Sequence, residues 1–129
     1  MRSNSVAAVS VGVVEVAAML LEIFRSFGPV CLLSGLHCDV DLASLSPDQA
    51  LIQDLVQNLG LYNGFIGVGL ILSVVLGIAS ARQIQLYLCG CVVLAGLFGA
   101  ATVSLLLLVQ AAIGGVGLVV ILASKPGEA

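Results

Sequence analysis

Residues Gln83 to Ser124, QIQLYLCGCVVLAGLFGAATVSLLLLVQAAIGGVGLVVILAS, run for 42 positions without a charged side chain. A helix crossing the hydrocarbon core of a bilayer needs about 20 predominantly apolar residues, so this stretch holds two passes. It divides most naturally near Thr102, Val103 and Ser104, which gives spans of about 84–102 and 105–124. Upstream, Leu55 to Ala81 is a second uncharged run, of 27 residues, enough for one pass at about 59–80 that Arg82 closes. A further span covers about 5–27 and is apolar except for Glu15, Glu22 and Arg25. With 60% hydrophobic residues, 9% charged residues and a mean hydropathy of +1.24, a chain of 129 residues cannot hide so much apolar sequence in water. Backbone polar groups must be satisfied inside lipid, and these runs are too long for barrel strands, so the spans are helices. The expected fold is all-α: one polytopic transmembrane domain over residues 1–129, with four helices and an extramembrane loop at 28–58.

Arg2, the apolar stretch Val6–Val14 and the residues Val16 and Ala18 resemble a secretory signal. Hydrophobicity nevertheless continues past Ala18 to Phe24, and an uncleaved span is the expectation. Four spans then place both termini on one side. Arg2, Arg82 and Lys125 fall on that side, whereas the 28–58 loop carries Asp39, Asp41, Asp48 and Asp54, with Arg25 at its margin. Lys and Arg favour the cytoplasm-like face and acids count for little. The reading is therefore both termini inside and the loop outside, in a plasma, thylakoid or inner mitochondrial membrane.

In the loop, Cys31 and Cys38 could close a disulfide on an oxidising face or stay as two free thiols. Cys89 and Cys91 lie inside the third span, where free cysteine packs as a small hydrophobe. No metal site is expected: His37 is the only histidine, and with two cysteines it lacks a fourth ligand at ordinary spacing. Ser46-Pro47-Asp48-Gln49 reads as a capped helix start. Leu51, Ile52, Leu55, Val56 and Leu59 recur at helical spacing opposite Asp48, Gln53, Asp54 and Gln57, which predicts a short amphipathic helix in the loop, leading into the second span. Its acidic face is the wrong sign for an anionic-lipid anchor. Four Lys plus Arg and a net charge of −3 give nucleic-acid binding no electrostatic support. A single histidine excludes a bis-His haem, and no cofactor is expected. Contact with lipid, or with a chlorophyll-like pigment held by Glu, Gln or Asn, stays open.

Glu15 and Glu22 are two helical turns apart on one face of the first span. An acid at mid-membrane costs roughly 2.5–3.5 kcal/mol on insertion scales, so Glu15 should face the bundle, protonated or paired. It is either a relay or ligand-anchoring acid, or a hydrogen-bonded link between helices; Glu22 reads as an interfacial acid paired with Arg25. Asn58, Tyr62, Asn63, Thr102 and Gln110 complete the candidate intramembrane site. Small-xxx-small pairs at Gly60 with Gly64, Gly96 with Ala100 and Ala111 with Gly115 mark faces where helices approach closely. The tightest crossing is expected along Asn58–Phe65, with Asn63 reaching Thr102, Gln110 or Glu22. No nucleophile–base–acid set is present, and enzyme is the least supported class.

The segment Asn58-Leu59-Gly60-Leu61-Tyr62-Asn63-Gly64-Phe65 resembles the Asn-Gln-Gly-Leu-Tyr-Asn-Gly-Phe motif of the small membrane-protein family called domain of unknown function 1304. Leu21-Glu22-Ile23-Phe24, Leu45-Ser46-Pro47, Ala95-Gly96-Leu97-Phe98-Gly99-Ala100-Ala101-Thr102-Val103 and Leu108-Val109-Gln110 follow the same pattern, in order, across nearly the whole chain. The resemblance implies four helices and no settled activity. The chain departs from the family at Leu59, where Gln is usual, and at Ser104 or Leu105, where a basic residue is usual. A Glu-His pair usual near the first helix is reduced to Glu15 beside Val14 or Val16. Loss of that histidine weakens a proton-relay role and favours packing.

Two functions of different class follow as expectations. The first is a small accessory or structural subunit in a larger complex of an energy-transducing (photosynthetic or respiratory) membrane, with other membrane subunits and lipids as partners. The second is a small proton- or cation-coupled transporter using an intramembrane Glu.

Overall fold

The computed structural model describes residues 3–24, 45–77 and 81–124. Cys31 and Cys38, with the disulfide question, lie outside the described residues, as does Arg25. Four helices follow in order: α1 (Ser3–Phe24), α2 (Pro47–Val75), α3 (Ala81–Thr102) and α4 (Leu108–Ala123), the last entered through a 3-10 turn at Leu105–Leu107. Among the described residues there is no strand. All four are long and apolar enough to cross a membrane, the fourth counted from Leu105 to Ala123. At 22 residues each, α1 and α3 measure about 33 Å, against a hydrocarbon core of about 30 Å. The protein is an all-α polytopic membrane protein.

The start of α2 is fixed locally. Ser46 Oγ accepts from the Gln49 amide, the Gln49 side chain accepts from the Ser46 amide, and Pro47 occupies the first turn, where its missing N–H costs nothing. From there the helix continues unbroken for 29 residues, about 43 Å. The amphipathic stretch and the second span are thus one helix rather than two elements, and residues 47–58 belong to it rather than to a loop. Nothing between Pro47 and Gly60 can break a helix, and Gly60 is retained because it packs against α1. The other end comes at Val75 instead of near residue 80. Gly77 takes a left-handed φ of 56°, and its amide donates to the Val74 carbonyl, a conformation that glycine adopts without steric cost.

The helices run up, down, up, down, each beside two neighbours, with α1–α2 and α3–α4 as the closest pairs. Between α3 and α4 the chain reverses at Val103-Ser104 without a proline. The Val103 and Ser104 amides both donate to the Gly99 carbonyl, and Ser104 Oγ accepts from the Leu106 amide. The shared core is small: Ala8 and Val11 of α1, Leu70 of α2, Cys89 and Val92 of α3, and Ile121 of α4. Large apolar side chains such as Phe24, Phe65, Tyr87, Phe98 and Leu105 point outward. A continuous apolar exterior is untenable in water and suits a hydrocarbon surrounding.

Glycine sets the helix separations. A Cβ on Gly12 would lie 2.7 Å from the Gly67 carbonyl oxygen, and one on Gly67 would lie 2.6 Å from that of Gly12. Real side chains do not approach so closely, so α1 and α2 cross backbone to backbone at this point. Along the α1–α2 seam the closest approach therefore lies just beyond Asn58–Phe65, and the tightest crossing of the bundle lies on the other pair, where Gly96 meets the Ala111 backbone. Within that stretch, Gly60 meets Glu22 Cβ and the Met19 carbonyl, and Gly64 meets the flexible end of Met19. On the other pair, Gly96 faces the Ala111 backbone and Gly114 faces Val92. Ala111 thus packs in line with Gly114 and Gly117. Gly115 has open space beside it, as does Gly90, and Ala100 is half-buried.

Candidate intramembrane polar site

Glu15 lies nine residues from the end of α1, about 14 Å along the axis, and so close to mid-membrane. It is 1% exposed. Gln110 of α4 turns its amide Nε2 toward both carboxyl oxygens, 3.2 Å from Oε2 and 3.5 Å from Oε1. An amide offers a donor and an acceptor, so it can serve a carboxyl group in either protonation state. This arrangement exists because α1 and α4 are antiparallel: Val11 against Gly117 sets the register, and one turn further along α1 meets Gln110.

Glu22 sits two turns beyond Glu15 and is half-buried. Asn63 of α2 donates from Nδ2 to its Oε2 at 2.8 Å. Nearly two turns before Asn63, Gln57 Nε2 donates to the Ile23 carbonyl at 3.2 Å, satisfying one of the carbonyls left open at the end of α1. Of the three partners expected for Asn63, the structure selects Glu22.

The remaining candidates stay apart from these pairs. Thr102 donates to the Phe98 carbonyl of its own helix and is exposed. Asn58 is exposed, and Tyr62 stands outward edge-to-face with Phe65, ring centroids 6.5 Å apart. Among the described residues, no three His, Cys, Asp or Glu side chains come together. Cys89 and Cys91 carry free thiols, the first fully buried.

A third pair had no forecast. Gln85 of α3 donates from Nε2 to Ser73 Oγ of α2 at 3.1 Å, and Ser73 donates to the Leu70 carbonyl at 2.7 Å. Both side chains are almost fully buried. An amide inside an uncharged run does not single it out, since Gln83, two residues earlier, has the same pattern and is exposed. Arg82, at the start of α3, closes the set by donating from Nη2 to the Leu122 carbonyl of α4 at 3.3 Å. A cation at the open carbonyls of a helix C-terminus is favourable.

Each of the four seams of the bundle therefore carries a polar cross-link: Glu22–Asn63 between α1 and α2, Ser73–Gln85 between α2 and α3, Arg82–Leu122 between α3 and α4, and Glu15–Gln110 between α4 and α1. The links sit at different depths. Between the midplane pair and Ser73–Gln85 lies the apolar core around Ala8, Val11, Leu70 and Cys89.

No curated protein and no solved structure shows significant similarity to the chain. A family model does match, over residues 41–122. The match takes in α2, α3 and nearly all of α4, including Asn63, Ser73, Gln85 and Gln110; the helix bearing both carboxylates precedes it. It extends over well over half of the 129 residues, and the chain belongs to the family described as Protein of unknown function (DUF1304).

Proposed function

We propose that this protein is a small accessory or structural subunit packed into a larger complex of an energy-transducing membrane. The observation that carries the reading is the polar link at every seam. The buried polar groups are spent on holding four helices together, and the outer surface of the bundle is left for contacts with lipids and other membrane subunits. The links suit this role because interhelical hydrogen bonds in membranes are modest, about 0.6 kcal/mol on average, and several together fix a bundle without making any one residue indispensable. In this reading the chain is not an enzyme. Its termini face the cytoplasm-like side, as the positions of Arg2, Arg82 and Lys125 favour.

The test is migration in mild detergent. Protein extracted from its native membrane should run with a large assembly and lose abundance when that assembly is absent. Migration alone, at the size of a monomer or dimer, would sink the proposal. Orientation is read separately: an impermeant thiol reagent, applied to intact membranes after reduction, should label Cys31 or Cys38 without permeabilisation.

The second reading, a proton- or cation-coupled carrier, rests on Glu15, a fully buried carboxyl at mid-membrane. Such groups mark ion pathways often enough to make this the default functional hypothesis. Glu15→Gln separates the two readings. In a structural link the amide substitutes and abundance holds, whereas in a carrier the transport activity disappears while assembly persists.

A further inference from the structure

Over half its length the α1–α4 seam is grooved on its outer side, beside the Val11–Gly117 contact. From Ser3 to Val14 on α1, and from Val109 to Val120 on α4, the two helices border an apolar groove of about 720 Å³. Twelve residues of helix on each wall span about 17 Å, roughly half of the ~30 Å hydrocarbon core. The groove begins at the end of the bundle that carries the α1 N-terminus and the α4 C-terminus, and it stops where Glu15 and Gln110 close the seam. It is one leaflet deep. A helix from another chain would need a seat along most of the membrane, whereas an acyl chain reaches only to the midplane.

A charge at the same end of the bundle, on the neighbouring α3–α4 seam, narrows the class of lipid. Arg82 reaches the Leu122 carbonyl, two residues beyond Val120, the last groove residue on α4. Its Nε is buried and has no hydrogen-bond partner among the described residues, and no acid among them pairs with it. The acids Asp48 and Asp54 stand in the first turns of α2, at the opposite end of the bundle. We infer that the α1–α4 groove seats one acyl chain of an anionic phospholipid, with the headgroup phosphate held at Arg82. The guanidinium then serves two ends at once, the Leu122 carbonyl and a phosphate oxygen, as its forked set of five donors allows. The inference stands apart from the accessory-subunit reading, since the site is built within one chain.

The experiment uses the full chain reconstituted in vesicles of equal parts phosphatidylglycerol and phosphatidylcholine, extracted in mild detergent, with the retained lipid measured by mass spectrometry. The wild type should retain phosphatidylglycerol about fivefold over phosphatidylcholine, the ratio equivalent to about 1 kcal/mol for one basic residue near anionic headgroups. Arg82→Gln should bring the ratio to about one, while Arg82→Lys, which keeps the charge, should preserve the enrichment. Ala112→Phe fills the groove from the α4 wall and Ser10→Leu from the α1 wall; either variant, eluting as the wild type does, should carry less lipid of both kinds. Equal retention by the wild type would overturn the site, as would enrichment unchanged in Arg82→Gln. A dimer that Ala112→Phe converts to monomer, with retained lipid unaltered, would also overturn it, by assigning the groove to a second copy.

Discussion

Helix α1 meets its two neighbours in opposite ways. Against α2 it lies backbone to backbone at Gly12 and Gly67, and the contact continues through Gly60 and Gly64 to the Glu22–Asn63 bond. Against α4 it touches at Val11–Gly117 and at Glu15–Gln110, and on the outer side of these contacts a groove runs between the two helices. Both seams carry a carboxyl–amide link, so the link does not set the spacing. The side-chain volume between the axes does. The α1–α2 seam has glycines facing each other, whereas half of the residues bordering the α1–α4 groove are valines. Polar groups specify which helices meet, and small residues specify how closely.

The sharpest test of this contrast is Gly67→Leu. A leucine there must displace the α1 backbone, not a movable side chain, and overpacking of this kind costs on the order of 3 kcal/mol or more. The variant should be nearly lost from purified membranes. Gly90→Leu and Gly115→Leu, with open space beside each glycine, should accumulate as the wild type does; if all three behave alike, glycine register does not hold the bundle. Gly64→Ala comes next. Its new methyl meets Met19, an unbranched and adaptable side chain, so the loss should be about 1 kcal/mol and smaller than for Gly67→Ala. Thermal unfolding in detergent gives the ranking, and the reverse order would move the main crossing back to the Asn58–Phe65 stretch.

Deleting the links should matter less. Asn63→Ala removes the bond to Glu22 and should cost about 0.6 kcal/mol, with about 1.7 as a ceiling. Glu15→Gln, which retains a partner for Gln110, should cost less still, and stability beside Gln110→Leu measures the difference. A large loss for Glu15→Gln with none for Asn63→Ala would show that the midplane link, not the glycine crossing, organises the bundle.

Much of this architecture is legible in the sequence, and the reasons differ by element. Charge-free runs identify the spans because lipid tolerates almost nothing else, and the Ser46–Gln49 cap is readable because all its groups lie within four residues. The union of the amphipathic stretch with the second span is harder to see. A change of polarity along α2 suggests two elements, although it only marks where one rod leaves the hydrocarbon. The pairing of glycines is less legible still. Gly60, Gly64 and Gly67 share one face at spacings of four and three, but which of them meets backbone depends on the position of Gly12, on another helix. Glu15 could be forecast to have a bundle partner, yet the partner stands 95 residues away, and only the antiparallel register brings Gln110 to it. Ser73 and Gln85 are only 12 positions apart, yet neither stands out from the other polar residues of its helix until the α2–α3 register is known.

The two-residue reversal at Val103-Ser104 has a consequence for the order of assembly. Contacts between residues near in sequence form with little loss of chain entropy, and distant ones wait. Helices α3 and α4 can therefore close as a hairpin as soon as both have entered the bilayer, with Gly96 against Ala111 only 15 positions apart. The α1–α4 seam joins the first helix to the last and cannot form until the whole chain is inserted. The groove belongs to the joint that closes last, when surrounding lipid is already present to be enclosed.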